Sequence, residues 1–445
     1  MSPIQNIVII GNGIAGATAA LEIRKRIEAS ITLISDETEF PYARTALMYI
    51  FMGQVSLPHT YLYPTDVWKE KNINLLKSRV IGLDRAAKTI TLTDGRKLSY
   101  DQLILATGSL SILPDCEGID LPGVCALYHL EDLNKIEHQL LSNVKSAVIV
   151  GGGLIGVELA EMLIVRGIKV SFLIKETSYW ANALPEEESQ MVSRHLAERG
   201  ITIIPNEEMS AILGDQHATG ILCKSGKTFS CDFVGITIGV KPNVSLFSET
   251  GLNINRGILT NSFLRTNDDH IYAIGDCAEL SEPAENRKSI EAVWYTAKKM
   301  GEVAAANICG EKMVYEQGVW YNSAKFFDLE YQVYGYVPNV IEPPLKSHYQ
   351  SFANGQKSIR IVFHEEGHVV GILAMGARLR HGVCEAWIKQ KAPYNKVMEH
   401  FDKANFDPEF TPIPYKNLKA QSRGLNTRKA RNLASFIFPF LRTRP

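Results

Sequence analysis

The sequence predicts an α/β protein with parallel sheets, because one strand, turn and helix unit occurs twice along the chain. In both copies an apolar strand runs into glycines spaced GxGxxG, and a helix-forming stretch follows. A chain of 445 residues with 45% hydrophobic composition is long enough for two to four domains. Together these observations predict two Rossmann-like dinucleotide-binding domains.

The first unit starts with the apolar strand 7–10 and continues through a glycine turn into a helix that runs to Arg26. The first glycine permits a tight turn, the second lets backbone amides approach a pyrophosphate, and the third lets helix and strand pack closely. Strand 31–34 ends at two acids that could bind an adenosine ribose, of which the first is preferred. The predicted cofactor-binding residues here are Gly11, Gly13, Ala15, Gly16, Asp36 and Glu37.

The second unit repeats this order, with strand 147–150, a glycine turn, a helix to Arg166 and strand 170–174. Two dinucleotides are therefore expected, and the joint interpretation is a flavin site plus a nicotinamide site. Its predicted binding residues are Gly151, Gly153, Ile155 and Gly156.

The acid of the second unit is less clearly placed, because Ile174 stands where it is expected and is followed by Lys175 and Glu176. Glu176 would favour NADH by binding ribose hydroxyls, whereas Lys175 could meet the 2'-phosphate of NADPH. A surface Lys/Glu pair without a role is the third possibility. We favour NADH.

Composition excludes several classes of function. A net charge of −1 gives no electrostatic case for nucleic-acid binding. Seven cysteines without CxxC or close Cys/His spacing fit free thiols in a reducing compartment better than a disulfide framework or a zinc site. The N-terminus shows no signal peptide and no run of about 18 apolar residues occurs, so we expect a cytoplasmic protein without a membrane-spanning helix.

These segments resemble the pyridine nucleotide-disulfide oxidoreductase superfamily, and three further stretches extend the likeness over nearly the whole chain. Residues 103–108 (LILATG), 237–243 (TIGVKPN) and 271–276 (IYAIGD) are similar to its first FAD-closing, crossover and second FAD motifs. The resemblance implies cofactor contacts from Ala106, Thr107, Gly108, Gly239, Gly275 and Asp276, with Asp276 on the ribityl chain.

The resemblance also implies the domain organisation. An FAD domain would comprise residues 1–112 and 246–313, with an NAD(P)-binding domain inserted at 113–245. An α+β C-terminal domain would follow at 314–415, and a basic amphipathic tail at 416–445.

Thiol-using members of this superfamily carry a redox cysteine on the helix after the first acid, but residues 40–49 (FPYARTALMY) contain none. This stretch is similar to the YxRPxLSK segment of rubredoxin, ferredoxin and putidaredoxin reductases, with Arg44 matching the arginine. Thr45, Met48 and Tyr49 depart from that pattern, which puts the tuning of flavin N5 in doubt.

Four further side chains acquire roles from the resemblance. Trp294, in a stretch similar to WSNAQNQG, would lie beside the isoalloxazine; the alternative is a core aromatic. Glu158 would lie near the nicotinamide, although a lone helix carboxylate is more often a solvated residue. Arg44 would face the pyrophosphate or flavin, and Phe327 lies in the stretch with which the C-terminal domain covers the flavin. Glu158, Trp294 and Arg44 are the candidate catalytic residues.

The expected activity is hydride transfer from NAD(P)H to FAD, followed by electron transfer to a ferredoxin or rubredoxin-type protein, a quinone or a similar acceptor. One alternative is a type II NADH:quinone oxidoreductase at a membrane surface. The other is an FAD-bearing redox sensor or scaffold that resembles apoptosis-inducing factor. The sequence leaves the oligomeric state open.

Residues 364–368 (HEEGH) match HExxH, the zinc-protease pattern of two histidines one helical turn apart. The flanks 359–363 and 369–373 are β-branched around a Glu-Gly turn, which predicts a hairpin. Two histidines on a hairpin would not share a helix face, and no downstream third ligand is evident. We therefore predict no metal site.

Residues 416–445 carry eight lysines and arginines and no acid, which leaves −9 on the rest of the chain. Between the basic groups lies 433–441 (LASFIFPFL), too short to span a bilayer but rich in residues that enter its interface. The tail could hold the protein at the inner face of the cell membrane or bind an acidic partner. The alternative is a solubilising tail, or one that packs on its own acidic body.

If the tail binds membranes, the chain should co-sediment with anionic liposomes at low salt and be released at high salt, since each basic group near an anionic surface contributes about 1 kcal/mol. A chain that ends at residue 415 is the control and should stay in solution. Equal binding by both chains, or binding by neither, would contradict the membrane interpretation.

Overall fold

The computed structural model describes residues 4–140, 144–409 and 413, so the basic tail lies outside the described residues. The chain divides into two compact units. The first comprises the described parts of Met1–Lys175 and Gly200–Gly318, and the second those of Glu176–Arg199 and Val319–Pro445. Among the described residues, every helix is too short or too polar to cross a lipid bilayer.

The first predicted unit forms the centre of a five-stranded parallel sheet in the first compact unit. The strands are ordered Ile271–Ala273, Gln102–Leu105, Asn6–Ile10, Ser30–Ser35 and Ile73–Lys77. Three of them, Ile271–Ala273, Gln102–Leu105 and Asn6–Ile10, are nearly continuous apolar runs, as expected where both faces of a parallel sheet are covered. The predicted strands and the helix, observed as Ile14–Arg24, are confirmed.

The second predicted unit forms a second five-stranded parallel sheet in the same compact unit. Its strands are ordered Thr202–Ile204, Lys169–Leu173, Ser146–Val150, Phe233–Ile236 and Val124–Ala126. Helix Leu154–Val165 follows its central strand. The prediction of two Rossmann-like folds is thus confirmed.

Shorter elements complete the first compact unit. Two antiparallel sheets have three strands each. One contains Val80–Asp84, Thr89–Leu92 and Lys97–Ser99, and the other contains Met209–Leu213, Gly220–Cys223 and Thr228–Ser230. Two further pairs are Ser109–Ser111 with Val240–Pro242 and Ile258–Thr260 with Ala278–Leu280. The other helices of this unit are Leu47–Phe51, Asp66–Glu70, Leu130–Leu140 and Trp294–Ile308, and its 3-10 turns are Arg44–Ala46, Leu57–Thr60, Ser245–Phe247 and Gly275–Cys277.

Helices Ile14–Arg24 and Trp294–Ile308 cross where Gly301 provides the space for close contact. A β-carbon on Gly301 would lie 2.5 Å from the carbonyl oxygen of Ala15 and 3.0 Å from Cβ of Thr18. Only glycine allows the two backbones to approach this closely. The contact fixes the start of helix Trp294–Ile308 relative to the first glycine turn.

The second compact unit is built on a five-stranded antiparallel sheet, which confirms the α+β prediction for the C-terminal part. Its strands are ordered Tyr321–Phe326, Leu329–Gly335, Val369–Met375, Lys357–His364 and Leu345–Phe352. Its helical elements are Glu186–Glu198, His381–Lys389, Tyr394–Glu399 and the 3-10 turn Phe401–Ala404.

Helix Glu186–Glu198 is held in this second unit by charged side chains near both of its ends. Arg360, only 3% exposed on the sheet, donates to Glu187 at 2.6 Å and to Glu188 at 2.9 Å. At the other end, Asp328 lies 2.9 Å from His195 Nε2 and also accepts from Arg199. The helix is therefore anchored on the C-terminal sheet, while the sequence-based domain boundaries stay a prediction.

Candidate cofactor-binding sites

The two glycine turns have nearly the same geometry. Gly11 and Gly151 both have φ of +108°, which favours glycine. A β-carbon on Gly11 would lie 2.0 Å from the carbonyl oxygen of Ala106, and one on Gly151 would lie 2.5 Å from that of Thr237. In each sheet the tight turn thus packs against the end of the neighbouring strand.

The third glycine of each turn also lies against backbone atoms. A β-carbon on Gly16 would be 2.0 Å from the carbonyl oxygen of Gly11, and one on Gly156 would be 2.9 Å from that of Gly151. At both positions the helix packs closely against the turn, and only glycine leaves room for this contact.

The second glycines, Gly13 and Gly153, differ because a β-carbon on either would meet no protein atom within 4 Å. Each immediately precedes a helix, Ile14–Arg24 or Leu154–Val165, whose first amides have no partner within the helix. An open space at the positive end of a helix suits a pyrophosphate. The two turns therefore fit FAD and NAD(P)H.

The two acids after strand Ser30–Ser35 have different surroundings. Asp36 is exposed and pairs with the exposed Arg79 at 2.9 Å. Glu37 is less exposed, and its carboxylate accepts hydrogen bonds from Arg44, from the Tyr42 hydroxyl and from the Leu130 amide. Asp36 is thus the more exposed of the two carboxylates, and its role at a ribose stays a prediction.

Arg44 is the centre of a partly buried polar network. It donates to Glu37 Oε2 at 2.7 Å and to the Tyr128 carbonyl oxygen at 2.7 Å, and its guanidinium lies 5.0 Å from the centre of the Tyr128 ring. Burial alone would raise the pKa of Glu37, but the charge and hydrogen bonds of Arg44 outweigh burial and lower it. Arg44 is therefore not a solvated charge at a helix start.

Asp276, at the end of the second FAD motif, is held by two hydroxyl groups. Tyr128 donates to its Oδ2 at 2.8 Å and Ser109 at 3.0 Å. Burial raises the pKa of Asp276, although both hydrogen bonds act in the opposite direction. Tyr128 thus connects Asp276 with Arg44.

The crossover motifs lie side by side, since strands Ser109–Ser111 and Val240–Pro242 pair antiparallel. Thr107 donates to the carbonyl oxygen of Asn243 at 2.6 Å, and the Asn243 amide donates back to Gly108 at 2.9 Å. Gly108 and Gly239 both have positive φ, as does Gly275 at the turn before Asp276. The two segments that connect the parallel sheets therefore run side by side as an antiparallel strand pair.

Glu158 and Lys175 lie in the second fold. Burial, followed by repulsion from Glu161, raises the pKa of Glu158 to about 7. Lys175 is exposed and donates to Glu208 at 2.8 Å. Glu176 follows as a partly buried residue.

Two aromatic candidates lie in different compact units. Trp294 begins helix Trp294–Ile308 in the first unit and is 37% exposed, so it is not a core aromatic. Its ring contacts Tyr295 edge to face. Phe327 lies in the second unit, in the turn between strands Tyr321–Phe326 and Leu329–Gly335, with the unusual φ of +59°.

Sequence reasoning missed three polar residues of these sites: Asn12, Ser109 and Tyr128. The Asn12 amide donates to the Thr38 carbonyl oxygen at 2.8 Å and ties the first turn to the chain beyond Asp36. Asn12 could have been noticed inside the GxGxxG pattern, but Ser109 and Tyr128 meet Asp276 only through tertiary contacts that no local pattern signals.

Comparison with known proteins identifies the family. A family model described as pyridine nucleotide-disulphide oxidoreductase matches residues 5–301. The chain belongs to this family. It is an FAD-dependent NAD(P)H oxidoreductase, and FAD and NAD(P)H are its cofactors.

Proteins with several different names are similar to this chain. A rubredoxin-NAD(+) reductase of Pseudomonas putida is 30% identical over 68% of this chain and 80% of its own length. A nitrite reductase [NAD(P)H] of Bacillus subtilis is 30% identical over 73% of this chain, which spans only 40% of that relative. The solved NAD-dependent persulfide reductase of A. fulgidus has a TM-score of 0.84, 25% identity and coverage of 96% and 84%.

The open spaces at Gly13 and Gly153 predict that the same substitution impairs a different cofactor at each position. Gly13→Ala should lower FAD affinity at least about tenfold, equal to about 1.4 kcal/mol, because the methyl group occupies pyrophosphate space. Gly153→Ala should retain FAD but weaken reduction by NAD(P)H. Flavin absorbance per chain and stopped-flow reduction measure the two effects, and each variant is the control for the other. Full FAD retention in Gly13→Ala would contradict the assignment.

The hydroxyl of Tyr128 should contribute to stability through Asp276. We expect Tyr128→Phe to destabilise the protein by about 1.5 kcal/mol, the lower range for a hydrogen bond to a charged group, and to speed FAD release. Tyr100→Phe is the matched control, because the buried Tyr100 hydroxyl has no hydrogen-bond partner in the described structure. Denaturation followed by circular dichroism checks this; equal losses in both variants would contradict the role of Tyr128.

Proposed function

We propose that this chain oxidises NADH and passes the electrons to a small rubredoxin or ferredoxin-type protein without a redox disulfide. FAD, once bound, accepts a hydride from a nicotinamide and can release electrons singly or as a pair. The similarity to a rubredoxin-NAD(+) reductase supports the protein acceptor. The thiol-free route rests on the state of the cysteines.

The observation that carries the proposal is that burial raises the pKa of every cysteine. All seven are free thiols: Cys116, Cys125, Cys223, Cys231, Cys277, Cys309 and Cys384. Exchange with disulfides requires the thiolate, and reactive cysteines normally have a lowered pKa. These thiols therefore stay protonated at neutral pH.

Cys277 is the cysteine nearest in sequence to a proposed cofactor residue, since it follows Asp276. It is fully buried, and its thiol donates to the carbonyl oxygens of Leu105 at 3.4 Å and Ile274 at 3.3 Å. A thiol held in this way is a packing residue rather than a redox group. Segment 40–49 contains no cysteine, and its charged residue is Arg44, which pairs with Glu37.

The remaining side chains divide into binding and positioning groups. We infer that Asp36 binds the FAD ribose, that Asp276 binds the ribityl chain and that Arg44 stabilises the pyrophosphate or the flavin. With a pKa near 7, Glu158 can hold or release a proton close to the nicotinamide. Trp294, being exposed, is available to the isoalloxazine. The role of Phe327 stays a prediction from the family resemblance.

NADH is the preferred donor in this proposal because the charge of Lys175 is already paired. Glu208 accepts from Lys175 at 2.8 Å and from Lys224 at 2.7 Å, so binding a 2'-phosphate would require Lys175 to leave this pair. Glu176, the next acid, would accept ribose hydroxyls and repel a phosphate.

Steady-state turnover of the FAD-loaded enzyme with a panel of acceptors tests the proposal. We expect NADH-driven reduction of rubredoxin or ferredoxin to exceed that of a quinone analogue, and kcat/KM for NADH to exceed that for NADPH. Treatment with iodoacetamide should leave both rates largely intact, with Gly153→Ala as the control that loses reduction.

Each of the other outcomes would indicate a different function for this chain. Loss of turnover on alkylation with FAD retained would indicate a thiol relay. Faster quinone reduction would indicate a quinone oxidoreductase, and slow transfer to every acceptor would indicate a redox sensor or scaffold.

A further inference from the structure

The HEEGH segment forms the tip of the predicted hairpin between strands Lys357–His364 and Val369–Met375. The His364 amide donates to the His368 carbonyl oxygen at 2.9 Å, and the Gly367 amide donates to the His364 carbonyl oxygen at 2.7 Å. Gly367 has φ of +98°. The three-residue turn closed by a glycine at positive φ therefore makes His364 and His368 partners across the hairpin.

Partners across a hairpin point to the same face, so the two histidines are neighbours although they share no helix. Their ring centres lie 5.1 Å apart with an interplanar angle of 14°. The sequence argument considered only a helical pair and a ligand further downstream. It did not consider a ligand within the turn itself.

Glu366, at the turn, supplies the third group. Its Oε2 lies 3.7 Å from Nδ1 of His364 and 3.9 Å from Nδ1 of His368, and the potential ligand atoms of all three residues lie within 4.8 Å of one another. The Oε2 to Nδ1 distances are too long for hydrogen bonds. Two imidazole nitrogens and a carboxylate oxygen thus lie within 4.8 Å of one another.

The backbone amide of Glu366 donates to Nδ1 of His364 at 3.2 Å, and a metal ion that binds this nitrogen takes the place of that hydrogen bond, because the nitrogen has one lone pair. An imidazole binds a metal ion through the lone pair of its unprotonated nitrogen.

The tip is fixed by contacts outside the turn. The Tyr394 amide donates to the Gly367 carbonyl oxygen at 2.7 Å, and the Glu365 amide donates to Pro344 at 2.8 Å. The side chains of His364 and His368 are only 24% and 23% exposed, whereas Glu366 is 74% exposed. Two ligands are thus held in place, and the third can rotate towards them.

We propose that His364, Glu366 and His368 form a binding site for a divalent transition metal, with Zn²⁺ as the reference ion. Two histidines and a carboxylate match the donor preference of zinc. Ligand atoms about 2.0–2.2 Å from zinc are about 3.4 Å apart, so closure requires movements of about 1 Å among the three side chains. At least one coordination position stays open to water. Within residues 4–140, 144–409 and 413, this is the one such group of His, Cys, Asp or Glu.

Zinc competition against a chromogenic chelator, using full-length FAD-loaded protein without a histidine tag, tests this site. Wild type should bind one Zn²⁺ more per chain than His368→Gln. His364→Gln, His368→Gln and Glu366→Gln should each lower its affinity at least about tenfold, the lower limit for losing even an outer partner of a metal. Glu365→Gln is the matched control, one residue away in the same turn, and should bind as wild type does.

The proposal is wrong if wild type and the His368→Gln variant bind zinc with the same stoichiometry and affinity, or if wild type binds none. Flavin absorbance and circular dichroism show whether each variant is folded. If a histidine variant fails to fold, the exposed Glu366→Gln decides: unchanged zinc affinity overturns the site, and a loss of tenfold or more supports it.

Discussion

The structure of both cofactor sites depends on backbone atoms that approach too closely for any side chain. Gly11 packs against the carbonyl oxygen of Ala106, and Gly16 packs against the carbonyl oxygen of Gly11. A β-carbon on either glycine would lie 2.0 Å from that oxygen, so no other residue fits. These contacts fix helix Ile14–Arg24 against the sheet, so its first amides face the space beside Gly13. The same constraint recurs in the second fold at Gly151 and Gly156.

The first of these turns also organises the charges around it. Residues from distant parts of the chain meet in this network. Glu37 and Asp276 follow strands of the first parallel sheet, Tyr128 follows a strand of the second, and Arg44 begins a 3-10 turn. For Glu37 the paired arginine outweighs burial and lowers its pKa, whereas for Asp276, held only by hydroxyl groups, burial prevails and raises it. The two acids thus differ because Arg44 donates hydrogen bonds directly to Glu37, whereas it acts on Asp276 through its charge alone.

Sequence reasoning succeeded where the determinants are local. Strand, glycine turn and helix are encoded within about 30 consecutive residues, so both parallel sheets could be predicted. The partner of Asp276 could not, because Tyr128 reaches it only after distant strands pair. The anchoring of helix Glu186–Glu198 on the C-terminal sheet was equally hidden, since it depends on Arg360 and Asp328, which lie far away in sequence.

The HEEGH segment shows why spacing alone leaves geometry open. In a helix, residues i and i+4 share a face because one turn takes 3.6 residues. In a hairpin with a three-residue turn, i and i+4 are the cross-strand pair and also share a face. The strand pattern of the flanks therefore excluded the protease helix without separating His364 from His368. What differs is the residue that completes the group, because in the hairpin the turn itself presents Glu366 to both rings.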